Sequence, residues 1–275
     1  MRRSFVGKLE VLILLVVSFC ANSAGVVWQD ITFLQDGQIT DTNQFVQVLV
    51  YDTPPNTTHL EINGGQIGAL FTHNNSTTVI SGGTFNGQYY QYHPENNDGD
   101  NLFLCPPEAS ISAYDQSTVI YNGGSLGTIE CTNHSNLTVN GGVCRITASE
   151  YATVNITDGI INEITTNIWQ EANCQFYLTG GTFTGTVLLT SNSQMHIYGY
   201  GFAYDPNGII NIKGLDQRVG TLSGVWQNST PFEINFCYSL GVSSYSHVVL
   251  HEIPEPSTIL LLAFGLVSAQ LKRPS

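Results

Sequence analysis

Seven glycine corners recur along the middle of the chain and limit what it can fold into. Gly64-Gly65, Gly82-Gly83, Gly123-Gly124, Gly141-Gly142 and Gly180-Gly181 share one context, and Asp158-Gly159 and Gly199 occupy equivalent places. The first positions of these corners are separated by 18, 41, 18, 17, 22 and 19 residues. A fixed period of this length is the mark of a stacked repeat. The 41-residue step reads as about two units, with a degenerate or interrupted turn between Gly83 and Gly123.

Aligning on the glycines exposes apolar columns. Four and two residues before each corner stand Leu60 and Ile62, Thr78 and Ile80, Val119 and Tyr121, Leu137 and Val139, Val154 and Ile156, Phe176 and Leu178, Met195 and Ile197. Two such residues one position apart make a short strand with both side chains pointing inward. Three residues after the glycine comes a second column: Ile67, Phe85, Leu126, Cys144, Ile161, Phe183 and Phe202. The chain therefore bends at the glycine, where positive φ or close backbone approach is needed, and points inward again. Polar clusters such as Asn74-Asn75-Ser76, Gln116-Ser117, Asn133-His134-Ser135-Asn136 and Asn192-Ser193 supply a second corner before each strand.

One unit is too short to bury its own apolar face and must stack on its neighbours. The expected fold is all-β: a single-stranded parallel β-helix, or solenoid, wound right-handed because no six-residue repeat is evident. A β-sandwich of hairpins is the rival, but it would lack columns recurring once per unit. Residues 25–58 are expected to form an irregular N-terminal cap, 59–202 the repeats with an inserted loop at 88–107, and 203–252 a C-terminal β cap.

The two ends differ in kind from this body. Residues 1–24 open with Arg2, Arg3 and Lys8, continue through the apolar run Val11 to Val17 and close on Cys20-Ala21-Asn22-Ser23-Ala24, as a secretory signal peptide with its helix does. Residues 253–275 begin Ile253-Pro254-Glu255-Pro256, run through an apolar stretch from Ile259 to Ala269 and end near Lys272 and Arg273. The prolines enforce an extended stem, Ser257 can cap a membrane-crossing helix behind them, and the basic end suits the cytoplasmic side. The apolar run is short for a permanent span, which favours transient insertion.

This tail resembles the PEP-CTERM sorting signal, in which Pro-Glu-Pro, an apolar helix and a basic end follow in that order. The resemblance implies recognition and removal by a membrane-embedded exosortase, with Pro254, Glu255 and Pro256 as the sorting motif, in a Gram-negative host that often makes exopolysaccharide. The final basic cluster is thinner here than in most of that family. The body is similar to repetitive β-helical proteins that planctomycete-type bacteria carry with such tails, through His196-Ile197-Tyr198-Gly199-Tyr200-Gly201-Phe202 and Gly220-Thr221-Leu222-Ser223-Gly224.

Charge narrows the function. Between residues 25 and 252 only Arg145, Lys213 and Arg218 are basic, against 19 carboxylates, a net charge of −16. Such a body repels nucleic acid, whose binding needs cations to neutralise phosphates. It opposes polyuronate lyase chemistry for the same reason, since a lyase must neutralise a substrate carboxylate. A glycosidase needs two carboxylates across a cleft; the nearest pairs are Asp98 with Asp100, and Asp115 with Glu130. Acidic residues among Gly and Asn are ordinarily solvated turn formers. His73, His93 and His134 lack metal-ligand spacing, and Asp158 alone stands where a calcium-binding corner would place a carboxylate. Cys105, Cys131, Cys144, Cys174 and Cys237 form no CxxC, and their odd number leaves at least one thiol unpaired. Tyr89, Tyr90 and Tyr92 in the inserted loop offer faces on which sugar rings could stack.

The expectation is a non-enzymatic, exported surface or matrix protein with a structural or adhesive role. It has no catalytic, cofactor or metal residues, and its partners are exosortase and exopolysaccharide. The alternative is a secreted β-helix that binds or degrades polysaccharide.

Overall fold

The computed structural model describes residues 29–85, 90–91, 103–104, 109–166, 172–212, 215–239 and 242–255. These residues form a parallel β-solenoid of about seven turns, with a single short 3₁₀ turn, Ser244–His247, as the helical content described. The signal peptide expected over residues 1–24 and most of the sorting tail expected over 253–275 lie outside the described residues. No helix among those described is long and apolar enough to cross a membrane.

Each turn carries three strand segments. The first is the one read from the glycine columns: Gly37–Ile39, His59–Ile62, Thr77–Ile80, Thr118–Tyr121, then 136–139, 153–156, 175–178 and 194–197 pair in sequence, parallel and in register. Their inward residues, from Leu60 and Ile62 to Met195 and Ile197, are fully buried. After the glycine corner a two-residue segment points the second column inward, with Ile67, Phe85, Leu126, Cys144 and Ile161 buried and Phe183 and Phe202 partly so. A bulge in the ladder then opens a third segment, seen as register shifts between Ser125 and Thr128 and between Cys144 and Arg145. This third segment has its own buried column: Val48 and Val50, Leu70, Ile111 and Ala113, Ile129 and Cys131, Ile146 and Ala148, Ile164, and Val187.

The corners follow from local chemistry. Gly142 has φ +80°, and a Cβ there would stand 2.5 Å from the Tyr121 hydroxyl and 2.8 Å from the Gly124 carbonyl oxygen of the rung beneath. Only glycine combines that conformation with that approach. The polar corner uses another device: Asn74, Asp115, Asn133, Glu150 and Ser191 all adopt positive φ. Two places on, Ser76, Ser117, Ser135, Ala152 and Ser193 are fully buried and close the turn onto the carbonyl three residues back. Asn, Asp and Ser tolerate this region and bond to nearby backbone, which explains the polar clusters.

The 41-residue step holds one rung, not the two expected. Thr77–Ile80 pairs directly with Thr118–Tyr121, and Gln66–Thr72 pairs directly with Ala109–Ala113. The extra chain is therefore an insertion between the second and third segments of one turn. Within it, Tyr90–Gln91 pairs antiparallel with Phe103–Leu104.

Both ends continue the stack. Residues 29–50, expected to be irregular, run parallel with 66–72 and 59–62, and Ile39, Val48 and Val50 join the core. At the other end, Gln194–Ile212 turns back antiparallel onto Leu215–Val225, which pairs with Pro231–Ser239. That last strand rejoins the third face beside Thr186–Leu188, and Val248–Glu252 lies on residues 195–199 as a further rung of the first face. Trp226, 1% exposed, stacks on Phe232 with centroids 4.0 Å apart and donates Nε1–H to the Gly181 carbonyl oxygen at 3.0 Å. It covers the apolar interior where the regular coils stop.

Candidate functional site

Of the acid candidates read from the sequence, Asp115 and Asp158 are occupied in holding corners. Asp115 sits at a positive-φ corner, where its carboxylate accepts the Asn74 backbone N–H at 3.0 Å and the Asn133 carboxamide at 3.4 Å. Asp158 accepts the Gly159 N–H at 2.7 Å. Glu130 lies on the third face, in register with Ser112 and Thr147, and accepts the Ser112 hydroxyl at 3.5 Å. Asp98, Asp100, Tyr89, Tyr92, His93 and Cys105 lie outside the described residues, as does Lys213. Arg145 is exposed, and in register with Glu163. Arg218 bonds to the Pro206 carbonyl and the Asn207 side chain and lies over the Tyr238 ring. Pro254 and Glu255 are exposed just beyond the last strand, and Pro256 lies outside the described residues.

The three buried thiols are poor nucleophiles. Cys131, Cys144 and Cys174 are free and buried, and Cys237 is free and half-buried. Burial pushes the Cys144 thiol up to about 12, pushes Cys174 up to about 11, and raises Cys131 further. A thiol so placed carries almost no thiolate at neutral pH.

What the fold does assemble is an outer face of stacked side chains. Glu61, Val79, Ile120, Thr138, Asn155, Tyr177 and His196 stand one above another on the first strands. Along its edge the Asn140 carboxamide donates to Asn122 at 3.0 Å and the Thr157 hydroxyl donates to Asn140 at 2.7 Å, while Asn122 donates to Ser81. Such side-chain ladders satisfy polar groups from rung to rung.

Aromatic and histidine rings stack along the axis in the same manner. His73 lies between Tyr51 and Tyr114, with centroids 4.5 and 4.8 Å away and rings nearly parallel. His134 stacks on Tyr151 at 5.0 Å, Tyr177 on His196 at 5.0 Å, and Tyr198 on His251 at 4.3 Å. His196 and His251 also meet each other, Nδ1 to Nε2, at 2.9 Å. Column alignment places His196 on the outer face. It gives no hint of His251, because the strand carrying it has no glycine corner of its own. A shallow open groove of about 380 Å³, lined in part by Tyr204, Asp205, Ile209, Thr221, Glu233 and Asn235, lies over the C-terminal strands. Among the described residues no group of three or more His, Cys, Asp or Glu could hold a metal ion.

Burial lowers the His73 pKa, partly opposed by Asp115, whose carboxylate is 3.8 Å from Nδ1. Burial, then the neighbouring His251, lowers that of His196. A histidine lowered in the folded state binds fewer protons there than in the unfolded chain. Its stabilisation is complete above the unfolded value of about 6.5 and is lost as the pH falls from there. Thermal melts should show the midpoint falling as the pH drops below about 6.5, and His73→Gln with His196→Gln should flatten that slope. An unchanged slope in the double variant would show that other groups set it.

No family model, no curated protein and no solved structure matches this chain.

Proposed function

We propose that this is an exported, exosortase-processed protein of the cell surface or extracellular matrix, acting as a scaffold or adhesive element. The observation that supports it most is the outer face. Nine first-face strands stacked from Gly37–Ile39 to Val248–Glu252 present a continuous surface of mixed polar and apolar side chains about 38 Å long at the usual strand spacing. The acidic candidates that the structure describes are engaged in corners or ladders, where each carboxylate serves the fold. The proposal includes a right-handed winding, a signal helix over residues 1–24 and a transient membrane helix in residues 253–275, with Pro254, Glu255 and Pro256 read by exosortase. Exopolysaccharide is the proposed surface partner and nucleic acid is not.

Fractionating cells that carry the chain with and without Pro254-Glu255-Pro256 tests the sorting half: mislocalised precursor is expected, and an unchanged location would refute it. Glycan-array binding alongside depolymerisation assays tests the other half. Binding without turnover is expected. Turnover abolished by Asp98→Ala or Asp100→Ala would replace the scaffold reading with the polysaccharide-degrading one.

A further inference from the structure

Two histidines 55 positions apart are brought together where the last strand closes the outer face. His196 and His251 are both half-buried, on neighbouring parallel strands, flanked by the rings of Tyr177 and Tyr198. The His196 Nε2–H donates to the Gln175 carboxamide oxygen at 3.3 Å. With that proton placed, Nδ1 keeps a lone pair, and it is the atom that faces His251 Nε2 at 2.9 Å. A side chain that accepts from the far nitrogen of a histidine is the usual support of a metal-binding imidazole, since it fixes the tautomer and leaves the other nitrogen's lone pair free.

The 2.9 Å separation also fits a shared ion. Two imidazole nitrogens, each about 2.0–2.1 Å from one metal and at right angles, stand about 2.9 Å apart. Each lone pair must then turn about 45° from the nitrogen–nitrogen line, through ring rotation. We propose that His196 Nδ1 and His251 Nε2 together bind a divalent transition-metal ion of borderline softness, Cu²⁺ most tightly. From the neutral pair no proton is lost: the one on His251 Nε2 passes to its Nδ1, and both facing lone pairs become ligands. Imidazole donors favour Cu²⁺ over Ni²⁺ and Zn²⁺ and discriminate against Ca²⁺ and Mg²⁺, which demand oxygen. With no third His, Cys, Asp or Glu joining them among the described residues, water completes the coordination and the ion exchanges readily. A bound ion would tie the final strand to the coil immediately before Pro254 and Glu255.

The test is Cu²⁺ titration of the full chain in a non-coordinating buffer, read by electron paramagnetic resonance and by competition with a chelator. Imidazole-nitrogen hyperfine coupling is expected in the wild type. His196→Ala and His251→Ala should each weaken binding tenfold or more, and Gln175→Ala by up to about tenfold, while His59→Ala and His134→Ala leave it unchanged. His196→Gln and His251→Gln, checked for folding by circular dichroism without metal, guard against loss through misfolding. Wild-type protein that retains no Cu²⁺, or equal retention by folded His196 and His251 variants, would overturn the assignment.

Discussion

Phe176→Ala is expected to lower the unfolding free energy by about 3–5 kcal/mol, the range for removing a fully buried aromatic ring. Phe176 sits at 0% exposure between Val154 and Met195, its in-register neighbours one rung to either side. Backbone pairing fixes the spacing of those rungs, so they cannot close over the space the ring leaves, and the cavity term adds to the transfer term. Urea denaturation followed by far-ultraviolet circular dichroism measures the loss. Ile209→Ser, at a side chain 69% exposed, serves as control and should change stability by no more than about 0.5 kcal/mol. Near-equal effects at the two positions would mean that Phe176 is not in a packed interior.

Trp226→Ala is expected to cost a similar amount, about 3–5 kcal/mol, for a different reason. A solenoid leaves apolar surface at its ends, and something must cover it. Trp226 does so with its ring against Phe232 and its indole N–H on the Gly181 carbonyl oxygen. Trp226→Phe separates the two contributions, keeping most of the ring contact and losing about 1 kcal/mol for the hydrogen bond. In the alanine variant the exposed end should bind a hydrophobic dye and promote association between chains, visible by light scattering. A stable, monodisperse Trp226→Ala protein would show that the end is covered by something else.

The glycine spacing made two of the three faces legible. The inward identities of Leu60 through Met195 and of Ile67 through Ile161 could be read directly, because glycine marks the register and the strands between corners keep a constant length. The third face was illegible because nothing marks its start: a bulge of variable form precedes it, and Thr72 and Thr166, both fully buried, occupy inward seats as polar residues. The same absence of a marker made the step from Gly83 to Gly123 look like two turns, when one turn carries an insertion. At the N-terminal end Ile39 and Val48 stack in register without a glycine pair between them; the corner there is closed by the Asn43 N–H on the Thr40 carbonyl oxygen. The histidine pair was illegible because contact across 55 residues depends on how the C-terminal strands fold back, which no local period records.

The stacking itself is open to a direct distance measurement. Spin labels placed pairwise on the outer column, with Glu61 as the fixed partner and Asn155, Tyr177 or His196 as the second site, lie four, five and six rungs apart in the observed register. Double electron–electron resonance should give separations centred near about 19, 24 and 29 Å, rising by about 4.8 Å per rung whatever the number of intervening residues. Separations that instead follow the sequence interval, or that fail to increase in order, would contradict the solenoid and the continuous face built on it.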